Sequence, residues 1–397
     1  MRRSLIWAVA LLLATPTAVV ACLWDNDSLR MERSRFPDTL ELITGKFLRH
    51  SPEFYEWRVA DRLKRLGADP SNVALRDDLA VAYDKLGRHD AAIATALETE
   101  RLQPNRYKTA ANLGTFLIHA GKLQEGLPHL ERALALNPDA HFGREKYQKL
   151  LVEYVLATRK NAPGKLPLAY VDATSPDSAI VSNTFATYAT GGKGWSFSPA
   201  EAAAAVKGVL GMMRFGQYDS PILLEALGTL LAQDGTNPTV DAKALACRAF
   251  LKASYAVPDG PQRANYRAMA VRVLMMQTDG RSGLKTVPLG QVESEFRAEL
   301  ADAEAWYAAL HERELAWIRD GKNPEAEFDK LYAADPQVAA VEEPAPRFTI
   351  SQQDTILAAT LLIAGLVILL FALIGLAVVV RRLLTGRWWG SRAEAGV

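Results

Sequence analysis

Residues 79–104 read LAVAYDKLGRHDAAIATALETERLQP, and residues 113–138 read LGTFLIHAGKLQEGLPHLERALALNP. The two segments close on Pro104 and Pro138, and Pro70 stands the same 34 residues before the first of these. Small residues recur at matched places: Ala80 with Gly114, Gly87 with Gly121, Ala92 with Gly126. The spacing predicts two antiparallel helices per segment, joined at the glycine. Ala80, Gly114, Ala92 and Ala133 let the paired helices approach, and larger residues fill the holes between them. Proline stops the second helix so that the chain can turn into the next unit. Composition agrees: the chain is rich in alanine and leucine, with few alternating apolar runs, so helix is expected nearly throughout.

The first segment carries Leu79-Ala80, Tyr83, Gly87, Ala92, Ala96 and Pro104; the second carries Leu113-Gly114, Leu117, Gly121, Gly126, Leu130, Ala133 and Pro138. In this pattern the chain resembles the tetratricopeptide repeat family. A third unit keeps the spacing with Leu227-Gly228, Leu231, Gly235, Ala246, Phe250, Ala253 and Pro258, and extra residues around Thr236 to Asp241 lengthen its internal turn. The likeness covers residues 71–138 well and 221–258 in part. It implies an all-α fold: a solenoid of tetratricopeptide-type helical hairpins in two arrays, residues 22–160 and 198–334. In that family the first helix of each unit lines a concave face that holds a peptide or a partner helix. The resemblance therefore points Asp77, Val81 and Asp84, with Lys108, Ala111, Thr115 and His119, into a groove for a protein partner. The same positions equally suit the polar side of a purely structural helix. Lys108 and Asn112 resemble part of a carboxylate clamp found in some members, but its other residues are absent and the clamp is not carried over.

Further helices are expected at Thr39 to Arg49 and Pro52 to Leu66, as a cap, and at Phe142 to Lys160, closing the first array. Ser198-Pro199-Ala200-Glu201 is a helix start, with a serine cap, proline in the first turn and glutamate three on. Helices should follow at 199–215, 221–234, 241–256 and 262–277. Val292 to Asp320 reads as one long helix with an apolar line at Phe296, Leu300, Ala303, Tyr307, Leu310 and Trp317, Glu314 being the one polar step. That line suits packing on the second array or a short coiled coil. Between the arrays, residues 161–197 are rich in glycine and proline and read as a linker or structured loop, with one strand near Ala179 to Thr184. Residues 335–355 read as a stiff polar stalk.

The termini carry targeting signals. Ile356 to Val380 contains no charge and is long enough to cross a bilayer core of roughly 30 Å. Arg381, Arg382, Arg387 and Arg392 follow it, which places the tail, residues 381–397, in the cytoplasm and the large domain outside. Met1-Arg2-Arg3 and the apolar stretch Leu5 to Ala14 have the layout of a signal peptide, residues 1–21. Val19-Val20-Ala21-Cys22 fits cleavage after Ala21 and also resembles a bacterial lipobox with Cys22 acylated; an uncleaved anchor is the third outcome. The expected location is a bacterial inner membrane, crossed once. Cys247, among Ala246, Ala249 and Phe250, reads as a buried small apolar residue.

Charge is balanced, with 46 lysines and arginines against 45 acidic residues, so no global field favours nucleic acid. No Gly-x-Ser-x-Gly elbow, Ser-x-x-Lys or Cys-x-x-Cys occurs. His311-Glu312 lacks the second histidine of a metalloprotease helix, and Gly191-Gly192-Lys193-Gly194 lacks the rest of a phosphate loop. His119 and His129, on different helices of one repeat, read as solvated rather than metal-bound. No catalytic residue, cofactor, metal or small-molecule substrate is expected. The leading expectation is a non-enzymatic membrane-anchored scaffold. The alternatives are an envelope assembly factor acylated at Cys22 and an enzyme with its site in 161–335.

Overall fold

The computed structural model describes residues 35–138, 143–159, 166–168, 184–190, 198–233, 242–276, 287–334, 375–381 and 384. Every regular element among them is helical: α1 Thr39–Thr44, α2 Pro52–Ala68, α3 Val73–Lys85, α4 His89–Leu102, α5 Tyr107–His119, α6 Leu123–Leu136 and α7 Arg144–Arg159. There follow α8 Phe185–Ala189, α9 Pro199–Phe215, α10 Pro221–Leu231, α11 Ala242–Tyr255, α12 Pro261–Met276, α13 Leu289–Arg319 and α14 Pro324–Ala334. Residues up to Gln337 make one compact unit, and those from Val338 a second.

Local chemistry sets the helix ends. Ser198 accepts from the Glu201 N–H at 3.3 Å, and Glu201 accepts from the Ser198 N–H at 2.9 Å, a reciprocal cap. Ser51 caps α2 with its hydroxyl alone, accepting from the Phe54 N–H at 3.2 Å. The expected helix from Thr39 stops early at Thr44, because Gly45 takes a left-handed φ of 89°. Phe185–Ala189, capped by Thr184, is a short helix that the sequence did not announce. The expected strand lies outside the described residues except for Thr184.

Consecutive helices pack on one another in chain order, α2 on α3, α3 on α4, α5 on α6, α10 on α11 and α11 on α12. The hairpin turns α3–α4 and α5–α6 share one geometry. Gly87 and Gly121 have φ of 71° and 78°, and the next N–H, of Arg88 or Lys122, donates to Tyr83 or Leu117 at 2.8 Å. The turn between α13 and α14 repeats it: Gly321 has φ 70°, and the Lys322 N–H donates to Trp317 at 2.9 Å. An aromatic residue, glycine four on and then a basic residue mark both Tyr83-Gly87-Arg88 and Trp317-Gly321-Lys322. A hairpin of the same turn type thus closes the compact unit.

Inside the hairpins the small residues do what their spacing predicts. A Cβ on Gly114 would stand 2.9 Å from Leu130 Cδ2, and one on Gly228 would stand 2.6 Å from the Phe250 ring. Ala80, Ala92 and Ala96 pack with Val81, Leu113, Phe116 and Leu117 between the first two units. A single buried cluster runs from Leu42 in α1 through Leu151, Leu227 and Phe250 to Phe296 in α13. The two expected arrays therefore share one core.

The long helix α13 spends its apolar line on this chain. Val292 and Phe296 enter the shared core, while Leu310 packs with Phe215, Phe328 and Tyr332. Glu314, the polar step, is buried and bonds to His50 Nδ1 at 2.6 Å and to the Ser51 N–H at 2.8 Å. Glu325 of α14 accepts from Arg58 Nε at 2.8 Å and from Arg62 Nη2. These contacts fasten the last hairpin onto α2, near the start of the stack.

No helix among the described residues is long and apolar enough to cross a membrane. The expected span lies mostly outside them; of it, residues 375–380 are helical, as is Arg381. Residues 1–21, Cys22, Gly191 to Gly194 and 335–355 also lie outside the described residues.

Candidate functional site

Helix α3 carries Asp77, Val81 and Asp84 at steps of four and three, and α5 carries Lys108, Ala111, Thr115 and His119 at steps of three and four, so each set shares a face. The structure brings several of them together. Six of the seven are buried, and Lys108 is half-buried. Asp77 is gripped by the Arg106 guanidinium at 2.7 and 3.2 Å. Burial pushes its carboxyl above the ordinary value even though Arg106 pulls the other way. Thr115 accepts from Gln148 Nε2 of α7 at 3.2 Å. Lys85, at the end of α3, donates to the carbonyls of Phe215 and Gly216 at 2.8 and 3.0 Å. Later helices of the chain thus meet the face that the resemblance assigned to a partner.

At the turn end of this face lies a more concentrated group. Asp84 Oδ2 is 2.7 Å from His119 Nδ1, and Asp84 Oδ1 is 2.8 Å from His89 Nδ1. The two imidazoles meet edge to face, with centroids 5.8 Å apart. Burial works to raise the Asp84 pKa, but His119 and His89 outweigh it and hold the carboxyl at about 2. The His89 pKa is raised by its bond to Asp84. One carboxylate oxygen and two imidazole nitrogens lie within 4.8 Å of one another, a donor set that could hold a metal ion.

One sequence expectation is corrected here. His119 is buried against Asp84 rather than solvated. His129 stands apart from it, on α6 near Arg132 and Glu100, where burial first and then Arg132 lower its pKa. The residue that sequence reasoning missed is His89. Its signal was faint: it lies five residues after Asp84, beyond the Gly87 turn, a spacing that no single helix brings onto one face.

In the segment 161–197, Leu168 is described and donates its N–H to Glu225 Oε2 at 2.9 Å. The Tyr266 hydroxyl donates to the same oxygen, also at 2.9 Å. Glu225 here ties a loop and two helices together. No protein-family model matches this chain, and no curated protein matches it either.

Proposed function

We propose that the chain is a non-enzymatic, membrane-anchored scaffold of tetratricopeptide type that binds a protein partner outside the cytoplasm. The observation that supports this reading is the ordered stack of helical hairpins with a repeated glycine turn at Gly87 and Gly121. Repeats of this kind stack into extended surfaces, and such surfaces commonly serve as docking faces. Residues 356–380 anchor the chain in a bacterial inner membrane, with the tail inside.

Of the seven face residues, Lys108 is the one a partner reaches first. A second place for contact is a cavity of about 360 Å³ lined by α1 with its flanking residues and by α9, α13 and α14. Arg35, Lys46, Arg214 and Arg313 line it against one carboxylate, Glu41, beside Trp306 and Leu310. Arg35 is engaged by Glu41 at 2.6 Å and Lys46 by Asp302 at 2.6 Å. Arg214 is buried and donates to the Arg35 carbonyl at 3.0 Å, and the exposed Arg313 suits a partner segment carrying an acidic group next to an apolar one.

Two experiments test this. With an epitope tag after Val397, protease treatment of spheroplasts should remove the large domain and leave a small tagged membrane fragment; a protected large domain would overturn the orientation. Affinity capture from crosslinked membranes should return a reproducible partner, and the Arg313→Glu variant should return less of it. Capture of nothing above an untagged control would refute the scaffold.

A further inference from the structure

The Asp84–His89–His119 group has the donor chemistry of a transition-metal centre. A tetrahedral ion with bonds of about 2.0–2.2 Å holds its ligand atoms about 3.3–3.6 Å apart. Here Asp84 sets one oxygen 2.7 Å from His119 Nδ1 and the other 2.8 Å from His89 Nδ1, and with one oxygen taken the three ligand atoms fall within 4.8 Å of one another. Two imidazoles and one carboxylate select zinc-like divalent ions; calcium and magnesium require shells built of oxygen.

The placement favours a site that is built but reachable. The Asp84 and His119 side chains are 2% and 6% exposed, while His89 is 31% exposed and offers the entry. Asp84 lies just before the Gly87 turn and His119 just before the Gly121 turn, so both positions are set by helix ends rather than by loose loops. The ring nitrogens that face Asp84 are the Nδ1 atoms. A neutral imidazole carries one proton, and coordination through Nδ1 leaves it on Nε2, so neither ring need gain charge.

We propose that Asp84, His89 and His119 bind one divalent transition-metal ion of the zinc class, with water as the fourth ligand. The ion joins the end of α3, the start of α4 and the end of α5, and so cross-links the first two hairpins.

Metal-stripped full-length protein in detergent micelles is titrated with Co²⁺ and then with Zn²⁺. One equivalent of Co²⁺ should bind and develop the intense visible bands of a tetrahedral site, and Zn²⁺ should bleach them. His89→Gln, which spares the buried Asp84–His119 pair, should weaken Co²⁺ binding at least about tenfold and abolish the bands. Zn²⁺ should raise the melting temperature of the wild type and not that of His89→Gln. Absence of a one-equivalent endpoint, or bands unchanged in His89→Gln, overturns the proposal.

Discussion

Glu314 and His50, 264 residues apart in sequence, meet at 2.6 Å with both side chains 1% exposed. The second oxygen of Glu314 takes the Ser51 N–H at 2.8 Å, so one carboxylate serves both a buried imidazole and the first turn of α2. His50 is in turn stacked on Phe54, with centroids 3.5 Å apart. Removing one member of a buried, bonded pair leaves the other desolvated, at a cost of about 3–5 kcal/mol. Glu314→Ala should lose stability on that scale in denaturant unfolding, and Glu314→Gln, which keeps an acceptor for Ser51, should lose less. A loss within about 0.5 kcal/mol, as for a surface change, would show that the pair does not hold the last hairpin in place.

Gly126 occupies the place that Ala92 takes in the preceding unit. In this chain a Cβ there would stand 2.9 Å from the Gly114 carbonyl oxygen and 2.8 Å from Ile118 Cγ1. The first contact is with backbone, which cannot swing aside. Gly126→Ala, the substitution that makes the two units alike here, should therefore destabilise by about 1–3 kcal/mol. Thermal denaturation of the variant checks the sign, and a raised melting temperature would contradict the packing described.

These two sites mark how far the sequence could be read. Helix starts at Ser51-Pro52 and Ser198-Pro199 were legible because capping depends on neighbouring residues alone. The glycine turns and the close approach at Gly114 followed from spacing within a hairpin. Glu314 was visible as the odd polar step in an apolar line, but its partner was not, since nothing local connects it to His50. The same limit hid His89: Asp84 and His119 were identified as groove residues, yet their meeting depends on how two hairpins stack. Burial of the groove face escaped for that reason too, because Gln148 and the Phe215 carbonyl come from helices far along the chain.

Lys252 lies against the Tyr218 ring at 4.2 Å and donates to the Ile43 carbonyl, while Arg49 covers the same ring at 4.7 Å. Burial, with Arg49 adding repulsion against the pull of Asp219 and Glu304, brings its pKa down to about 7 from 10.5. Between these values the folded chain binds fewer protons than the unfolded chain, so this residue makes stability rise with pH across that window. Below about 7 both states are protonated and the full penalty is present. Lys252→Met should therefore gain stability over wild type at pH 6, and the gain should shrink towards pH 10. Equal differences at the two pH values would show that Lys252 is charged at an ordinary pKa.

Cys247 is fully buried, and burial pushes its thiol up to about 12. The thiolate is the reactive form. Iodoacetamide at pH 8 should leave Cys247 unlabelled in the native protein and label it in denaturant, as peptide mapping would show. Rapid labelling under native conditions would mean that α11 is not packed as described.

The fastening of α13 and α14 onto α2 changes how the stack should melt. An open row of repeats can fray, shedding its outer units one at a time. Here Ser51 and Glu314 are bonded across 263 residues, so peeling either end breaks the contacts of both. Loosening α2 and loosening α14 become one event, and amide exchange in the two should report the same opening free energy. Closing so long a loop is an entropic obstacle met once, and doubling its length would add only about 0.6 kcal/mol. The expected signature is a single cooperative transition with slow, late ring closure.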